Sequence, residues 1–388
     1  MFLDEAVLDD AARLDAGGIA ALLPHVASAG PQVRQSAVLA QEAGIDRLAA
    51  DGRPRAILVV GVDGSALAAG FLAAVVGPTS PVPIIGHHEH GLPGWVGVSD
   101  LVLAVSATGT SAETRSAVEE ANRRGARVAV VAPPDTPLAH LAEVAGAPLV
   151  PLVGQRPPHT AFWSLTVPLL VVARALGIVR TGDAAIEAAA TRLEDVATRC
   201  RPSSESFVNP AKTLALELAG TLPIVLGTSA VTAVAAERAT FQLSATAKYP
   251  ALAGTLPHPG HYQVALFDGP FGAGLSRAAS GGATVGVDDL EDFFRDRAEE
   301  EEESVRLRLI LLRDPTSERP EVSRQAELAV SAAAERGVGV TELRAEGVDP
   351  LERLASLIGL FDFTGVYLAL ALGIDPSQTP AAVRDLGR

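Results

Sequence analysis

Residues 101–114 read LVLAVSATGTSAET. Leu101 to Val105 is an unbroken apolar run ending at a polar turn, the pattern of a strand buried on both faces. Ser106-Ala107-Thr108-Gly109-Thr110-Ser111 then places four hydroxyls and a glycine before a helix over 112–124 that Gly125 stops. A strand, a short polar turn and a helix, in that order, form the repeating unit of a parallel α/β sheet. The unit recurs upstream, where the run 57–61 enters a glycine turn and a helix over 65–76 that ends at Gly77 and Pro78. Further strands are expected at 82–86, 127–132 and 149–153, and a long helix at 160–178. Ahead of them, Leu14, Ile19, Leu22, Leu23 and Val26 keep a helical rhythm within residues 1–50.

A more polar stretch, 181–205, separates this half from a second one. There, strands are expected at 222–227, 263–267, 305–312 and 338–343, with a helix running through Glu237 and another over 351–372. The chain therefore reads as α/β with two similar units, each a parallel sheet flanked by helices. The expected organisation is a helical segment 1–50 packed on a first domain 51–185, followed by a second domain 186–388.

Of 388 residues, 48% are hydrophobic and 20% charged, enough apolar material for a large core and too much for a disordered chain. The 31 basic and 46 acidic residues leave a net charge of −15, which repels nucleic acid and anionic membrane. An anionic ligand must then use a local site, such as amides and hydroxyls at a helix start. Only Lys212 and Lys248 are lysines among the basic residues, left either by chance in an arginine-rich composition or because arginine would serve poorly there. Cys200 is the single cysteine, which excludes an internal disulfide framework and a thiolate metal cluster. The longest apolar candidate, 164–179, is short for a membrane span and carries Pro168 and Arg174, and the first ten residues lack a basic leader. A cytoplasmic protein is expected.

Several segments are candidates for chemistry. Gly61-Val62-Asp63-Gly64-Ser65 joins a strand to a helix and offers Gly64 and Ser65 to an anion, provided Asp63 turns away. Asp63 also stands where a dinucleotide fingerprint needs its second glycine, which disfavours nicotinamide binding, and no Walker A sequence exists. The loop of Ser106, Thr108, Gly109, Thr110 and Ser111 suits a phosphate, because such a group takes several short donors beside a positive helix end. A helix cap made by Thr110 with Glu113 would account for only one of the four hydroxyls. His87-His88-Glu89-His90 is read as an exposed loop, and no metal is expected. In the second half Glu237, Arg238, Lys248, His258 and His261 gather, and a histidine is a natural acid–base group near neutral pH. The acidic run within 291–303 reads as a solvated segment, with a basic partner as the rival reading.

Taken together, these segments resemble the sugar isomerase (SIS) domain family, and within it the two-SIS-domain bifunctional phosphoglucose/phosphomannose isomerases. Residues 61–66, GVDGSA, are similar to the family's G-M-G-G-S-A, and 105–114, VSATGTSAET, to V-S-Y-S-G-N-T-E-E-T. Asn209-Pro210-Ala211-Lys212 resembles N-x-A-K, and 242–251, QLSATAKYPA, resembles Q-L-N-E-N-A-K-V-P-A. Residues 362–371, DFTGVYLALA, and 373–376, GIDP, resemble D-Y-V-S-V-Y-L-A and G-V-D-P. The resemblance implies a dimer without a cofactor that binds a sugar 6-phosphate through Ser65, Ser106, Thr108 and Ser111. It implies aldose–ketose isomerisation of glucose 6-phosphate or mannose 6-phosphate, with His261 as ring-opening or acid–base residue reaching a neighbouring subunit. Three family positions differ: the arginine of P-P-R is His159, the glutamate of N-E-N is Ala245, and the C-terminal lysine falls near Gly387. A general base is worth ~10²–10⁴-fold in rate, so the departures bear directly on turnover. Either His258 or Glu237 serves as base with Arg238 as cation, or the protein is a silent phosphosugar sensor or partner subunit. A further reading is altered chemistry on an amino-sugar phosphate.

Overall fold

Apolar runs as short as these are buried on both sides only if each pairs with strands running the same way and helices cover both faces. That is the arrangement in the computed structural model, which describes residues 5–154, 156–258, 262–272 and 305–378. In chain order the first unit comprises α1 (Ala11–Leu14), α2 (Gly17–Ala27), α3 (Ala29–Glu42), β1 (Ile57–Val60), α4 (Leu67–Val76), β2 (Ile84–His87), β3 (Leu101–Val105), α5 (Ala112–Arg124), β4 (Arg127–Ala132), α6 (Pro137–Val144), β5 (Leu149–Pro151) and α7 (Phe162–Ala175). The chain continues through α8 (Asp183–Arg199), α9 (Pro210–Leu218), β6 (Thr221–Gly227), α10 (Ala230–Ala247), β7 (Leu252–Thr255), β8 (Arg306–Arg313), α11 (Pro320–Glu335), β9 (Gly339–Arg344) and α12 (Pro350–Ala371).

Sheet one has the order β2-β1-β3-β4-β5 and sheet two β7-β6-β8-β9, and every pairing is parallel. The shared order β2-β1-β3-β4 and β7-β6-β8-β9 supports the reading of two similar units. Alternation along the strands splits each sheet between two cores. Ile57, Val59, Leu101, Leu103 and Val105 join Val225, Ile310 and Leu312 of the other sheet in one continuous core, filled by α3, α7, α8, α10 and α12. On the outer face of sheet one, Leu58, Val60, Val102 and Ala104 meet α5 and α6. On the outer face of sheet two, Ile224, Leu226, Leu309 and Leu311 meet α11. The two sheets thus sandwich a common layer of helices.

Two expectations need correction. Residues 263–267 are not a strand: Val264–Asp268 is a 3₁₀ turn, and the edge of sheet two is β7. The sequence of β7, Leu-Ala-Gly-Thr, has weak strand propensity and its extended form depends on pairing with β6. The polar stretch 181–205 holds a regular helix, α8, whose Ile186, Ala189, Ala190, Leu193 and Val196 are buried at helical spacing. The division drawn at residues 185 and 186 falls in its first turn. Arg34 of α3 pairs with Glu187 at 2.6 Å, and Arg192 pairs with Glu352 of α12 at 2.9 Å, tying α8 to both units.

Lys212 is fully buried, and its ammonium donates to Asp9 at 2.9 Å and to the carbonyls of Pro202 and Ser204 at 2.8 Å. Three oxygens in different directions suit a compact ammonium and not a planar guanidinium, which explains why lysine persists there. One helix among the described residues, Pro350–Ala371, is long and apolar enough to cross a membrane; 89% of its apolar window lies inside the fold, where it is the central core helix.

Candidate functional site

In a parallel α/β sheet, ligands meet the loops leaving the carboxyl ends of the strands. Here the neighbouring central strands β1 and β3 supply the two hydroxyl-bearing loops. After β1 the chain turns sharply, because a Cβ on Gly61 would lie 2.9 Å from both the Ser65 Cβ and the Val105 carbonyl oxygen. Asp63 takes up the turn in the left-handed region at φ 52°, which aspartate tolerates better than most residues. Gly64 has no room for a side chain either, since the Phe241 ring of α10 would stand 2.9 Å from its Cβ. Ser65 is buried, yet its hydroxyl makes no hydrogen bond to the described residues.

The loop after β3 is more constrained. The Ser106 amide donates to the Val131 carbonyl at 3.0 Å, and its Oγ accepts the Gly109 amide at 2.9 Å. Gly109 sits at φ 68°, pressed against Thr136 so that any Cβ would overlap its hydroxyl. Thr108 and Thr110 are exposed, and the Thr110 hydroxyl donates to Thr108 at 2.9 Å. The helix cap is Ser111, accepting the Thr114 amide at 3.2 Å, so Thr110 is not the cap that the pattern with Glu113 suggested. Glu113 instead accepts the Ser111 hydroxyl at 3.1 Å, because the helix begins one residue later than that pattern requires. Ser111 is therefore partly committed to structure, whereas Ser65, Thr108 and Thr110 are not committed to a cap. The α5 N-terminus adds its positive end to this rim.

The imidazoles of the histidine loop turn to separate partners. His88 Nδ1 bonds the Gly61 carbonyl at 2.7 Å, His87 Nε2 bonds the Gly91 carbonyl at 2.9 Å, and His90 lies 3.8 Å from Glu113. Among the described residues no three metal-ligating side chains converge.

Helix α10 of the second unit forms the other wall. Arg238 on it is 1% exposed, pairs with Asp362 at 2.9 Å, donates to the His159 carbonyl at 2.7 Å and lies 5.1 Å over the Phe162 ring and 5.6 Å from the Phe241 ring. Its guanidinium is consumed in joining the units. Burial pushes the Asp362 carboxyl up to about 6 against the opposing pull of Arg238. His159 is half-buried with its Nε2 unpartnered. Desolvation, then the charges of Arg238 and Lys248, lowers its ring to about 4, so it is neutral at physiological pH and is no replacement for a cation.

Glu237 faces α4, where a Cβ on Gly70 would lie 3.8 Å from its carboxylate. The residue is exposed overall, and partial desolvation raises its carboxyl above the ordinary range. Lys248 ends α10 at φ 55° and donates to the Ala245 carbonyl at 2.5 Å. His258 is exposed and stacks edge-on with Tyr262 at 5.8 Å. His261, Gly387 and the acidic residues 291–303 lie outside the described residues.

Sequence reasoning passed over Arg156. Its Nη1 is buried without a hydrogen-bond partner, desolvation lowers its basicity, and its charge helps hold His25 of α2 below its ordinary pKa after burial has done most of that. It stands three residues before His159, and a lone arginine in Gly-Gln-Arg-Pro-Pro-His-Thr was the available signal. Two cavities of about 230 and 220 Å³ open elsewhere, on the second unit, the first lined by Arg313, Pro315, Glu318, Ser323 and Arg344.

Two parallel sheets flanked by helices, with hydroxyl-rich turns after the central strands of the first, make a SIS-type α/β fold. Residues 207–385 match the family described as the bacterial phospho-glucose isomerase C-terminal SIS domain. Over 324 residues the chain is 28% identical to a bifunctional phosphoglucose/phosphomannose isomerase of Caldicellulosiruptor bescii, covering 83% of this chain and 85% of that one. In fold it is similar to a hypothetical protein from Thermus thermophilus (TM-score 0.65, 16% identity, 94% of this chain and 88% of that one). The C-terminal domain of a Francisella tularensis glucosamine-fructose-6-phosphate aminotransferase shares the architecture at TM-score 0.54 and 13% identity, covering 92% of this chain and 96% of that one.

Proposed function

We propose that the protein binds a hexose 6-phosphate at the carboxyl edge of sheet one, with the phosphate held by the Ser65 and Ser106 hydroxyls, the Gly64 turn and the rim of Thr108, Gly109, Thr110 and Ser111. The observation that carries this is the uncommitted Ser65 hydroxyl, beside a loop that ends at a helix start, in a chain of net charge −15. Short donors and amides gather an oxyanion there without needing a positive surface. Similarity to the bifunctional isomerase supports glucose 6-phosphate and mannose 6-phosphate as ligands. We place the protein in the cytoplasm as a homodimer.

For isomerisation, Glu237 and His258 are the base candidates, with His261 opening the ring. Arg156 is the cation best suited to stabilise an enediolate, since Arg238 is locked by Asp362. The second reading, a binder without turnover, is favoured by that lock, by the neutral His159 and by the absence of a carboxylate at Ala245. Calorimetry with both sugar phosphates, read alongside NMR detection of fructose 6-phosphate, separates them. Binding with product formation that His261→Ala abolishes supports the isomerase, and binding without product supports the silent reading. No binding of either sugar phosphate rejects the proposal.

A further inference from the structure

The two units can be laid over each other strand by strand: β1 on β6, β2 on β7, β3 on β8 and β4 on β9. In this correspondence the turn after β1 that carries Ser65 matches the turn after β6 that carries Ser229. The loop opened by Ser106 after β3 matches the loop opened by Asp314 after β8. Both opening residues are buried, at 4% and 0% exposure.

The difference lies in what each pair does. In the first unit the Ser65 hydroxyl is free of partners among the described residues and no carboxylate opens the loop. In the second, Ser229 donates its hydroxyl to Asp314 Oδ2 at 2.8 Å. The Thr316 amide reaches Asp314 Oδ1 at 3.3 Å, and Arg353 Nε of α12 stands 3.2 Å from the same oxygen. Arg353 is 3% exposed and is steadied by the Val348 carbonyl at 2.9 Å and the Ser317 hydroxyl at 3.1 Å. Ser229 also caps α10, accepting the Thr232 amide at 3.2 Å, so the carboxylate lies beside the start of an 18-residue helix. A hydroxyl, an amide, a guanidinium and a helix start are the donors that an oxyanion requires.

We infer that the loop after β8 is a second anion cradle closed by its own side chain: Asp314 occupies the place that a ligand's phosphate takes in the first unit. One chain then binds one phosphosugar, and removing the Asp314 carboxylate opens a site for a small oxyanion. The inference rests on the cradle reading of the first unit for its analogy, but its test does not.

The test uses Asp314→Ser, which copies the first unit's chemistry, and Asp314→Ala, which empties the place. Bound inorganic phosphate is counted by equilibrium dialysis, and melting temperature is followed with and without phosphate. Asp314→Ser should bind one phosphate per chain more than the native protein and keep that extra phosphate when Ser65→Ala is added. Both variants should melt lower than the native protein in phosphate-free buffer and recover more than it does when phosphate is supplied. If Asp314→Ser fails to fold, recovery of Asp314→Ala decides. Equal stoichiometry with no excess recovery overturns the inference, as does a native chain that binds two phosphates. A native chain that binds none, beside an Asp314→Ser chain that binds one, supports the second cradle and rejects the first.

Discussion

Ser65→Ala is the substitution that most cleanly separates binding from folding. The Ser65 Cβ is retained in alanine, so its packing against Gly61 survives. Its hydroxyl forms no hydrogen bond to the described residues, so truncation strands no partner. The expected change in stability is within about 0.5 kcal/mol, the range for substitutions that touch no special feature. A hydrogen bond to a charged group contributes about 1.5–3 kcal/mol. At about 1.4 kcal/mol per tenfold, loss of that bond weakens sugar-phosphate binding roughly 10- to 150-fold. Ser106→Ala differs, because its Oγ also holds the Gly109 amide, so it should lower both affinity and stability. Calorimetric titration with glucose 6-phosphate, paired with urea unfolding, reads both quantities. A Ser65→Ala protein that binds within twofold of the native one, while folded, refutes the phosphate cradle.

Gly109→Ala should destabilise by about 2–3 kcal/mol in urea unfolding, from the left-handed backbone and a displaced Thr136 cap. Arg238→Met leaves Asp362 buried and unpaired, with an expected loss of about 3–5 kcal/mol that Asp362→Leu in the same chain largely reverses. The single variant should be weaker at pH 8 than at pH 5 by thermal melting, because burial raises the Asp362 carboxyl and its ionisation opposes folding above the ordinary aspartate range. His159 acts with the opposite sign. Its ring falls from the ordinary 6.5 to about 4 in the fold, so its contribution of about 3 kcal/mol is full above pH 6.5 and is lost as pH falls toward 4. His159→Phe should flatten that loss in melts taken between pH 7 and 4; an unchanged pH profile would refute the assignment.

Local pattern was sufficient for the strands at 57–60, 101–105, 127–132 and 306–313, because each is an apolar run whose burial on two faces demands parallel neighbours. It was sufficient also to place the hydroxyl loop between β3 and α5. It failed at β7, where extended backbone depends on a partner strand, and at α8, whose polar face hid a regular buried stripe. The fate of charged side chains was not legible at all. Arg238 read as a free cation and proved to be spent on Asp362 and the His159 carbonyl, while Arg156 read as nothing and proved to have an unpartnered nitrogen. Hydropathy and turn chemistry act over a few residues, so the sequence alone determined two parallel units and the polar rim of the first. Pairing between residues 124 apart, as for Arg238 and Asp362, depends on the packing of whole helices, so only the tertiary structure decided which cations are spent and which anion closes the second cradle.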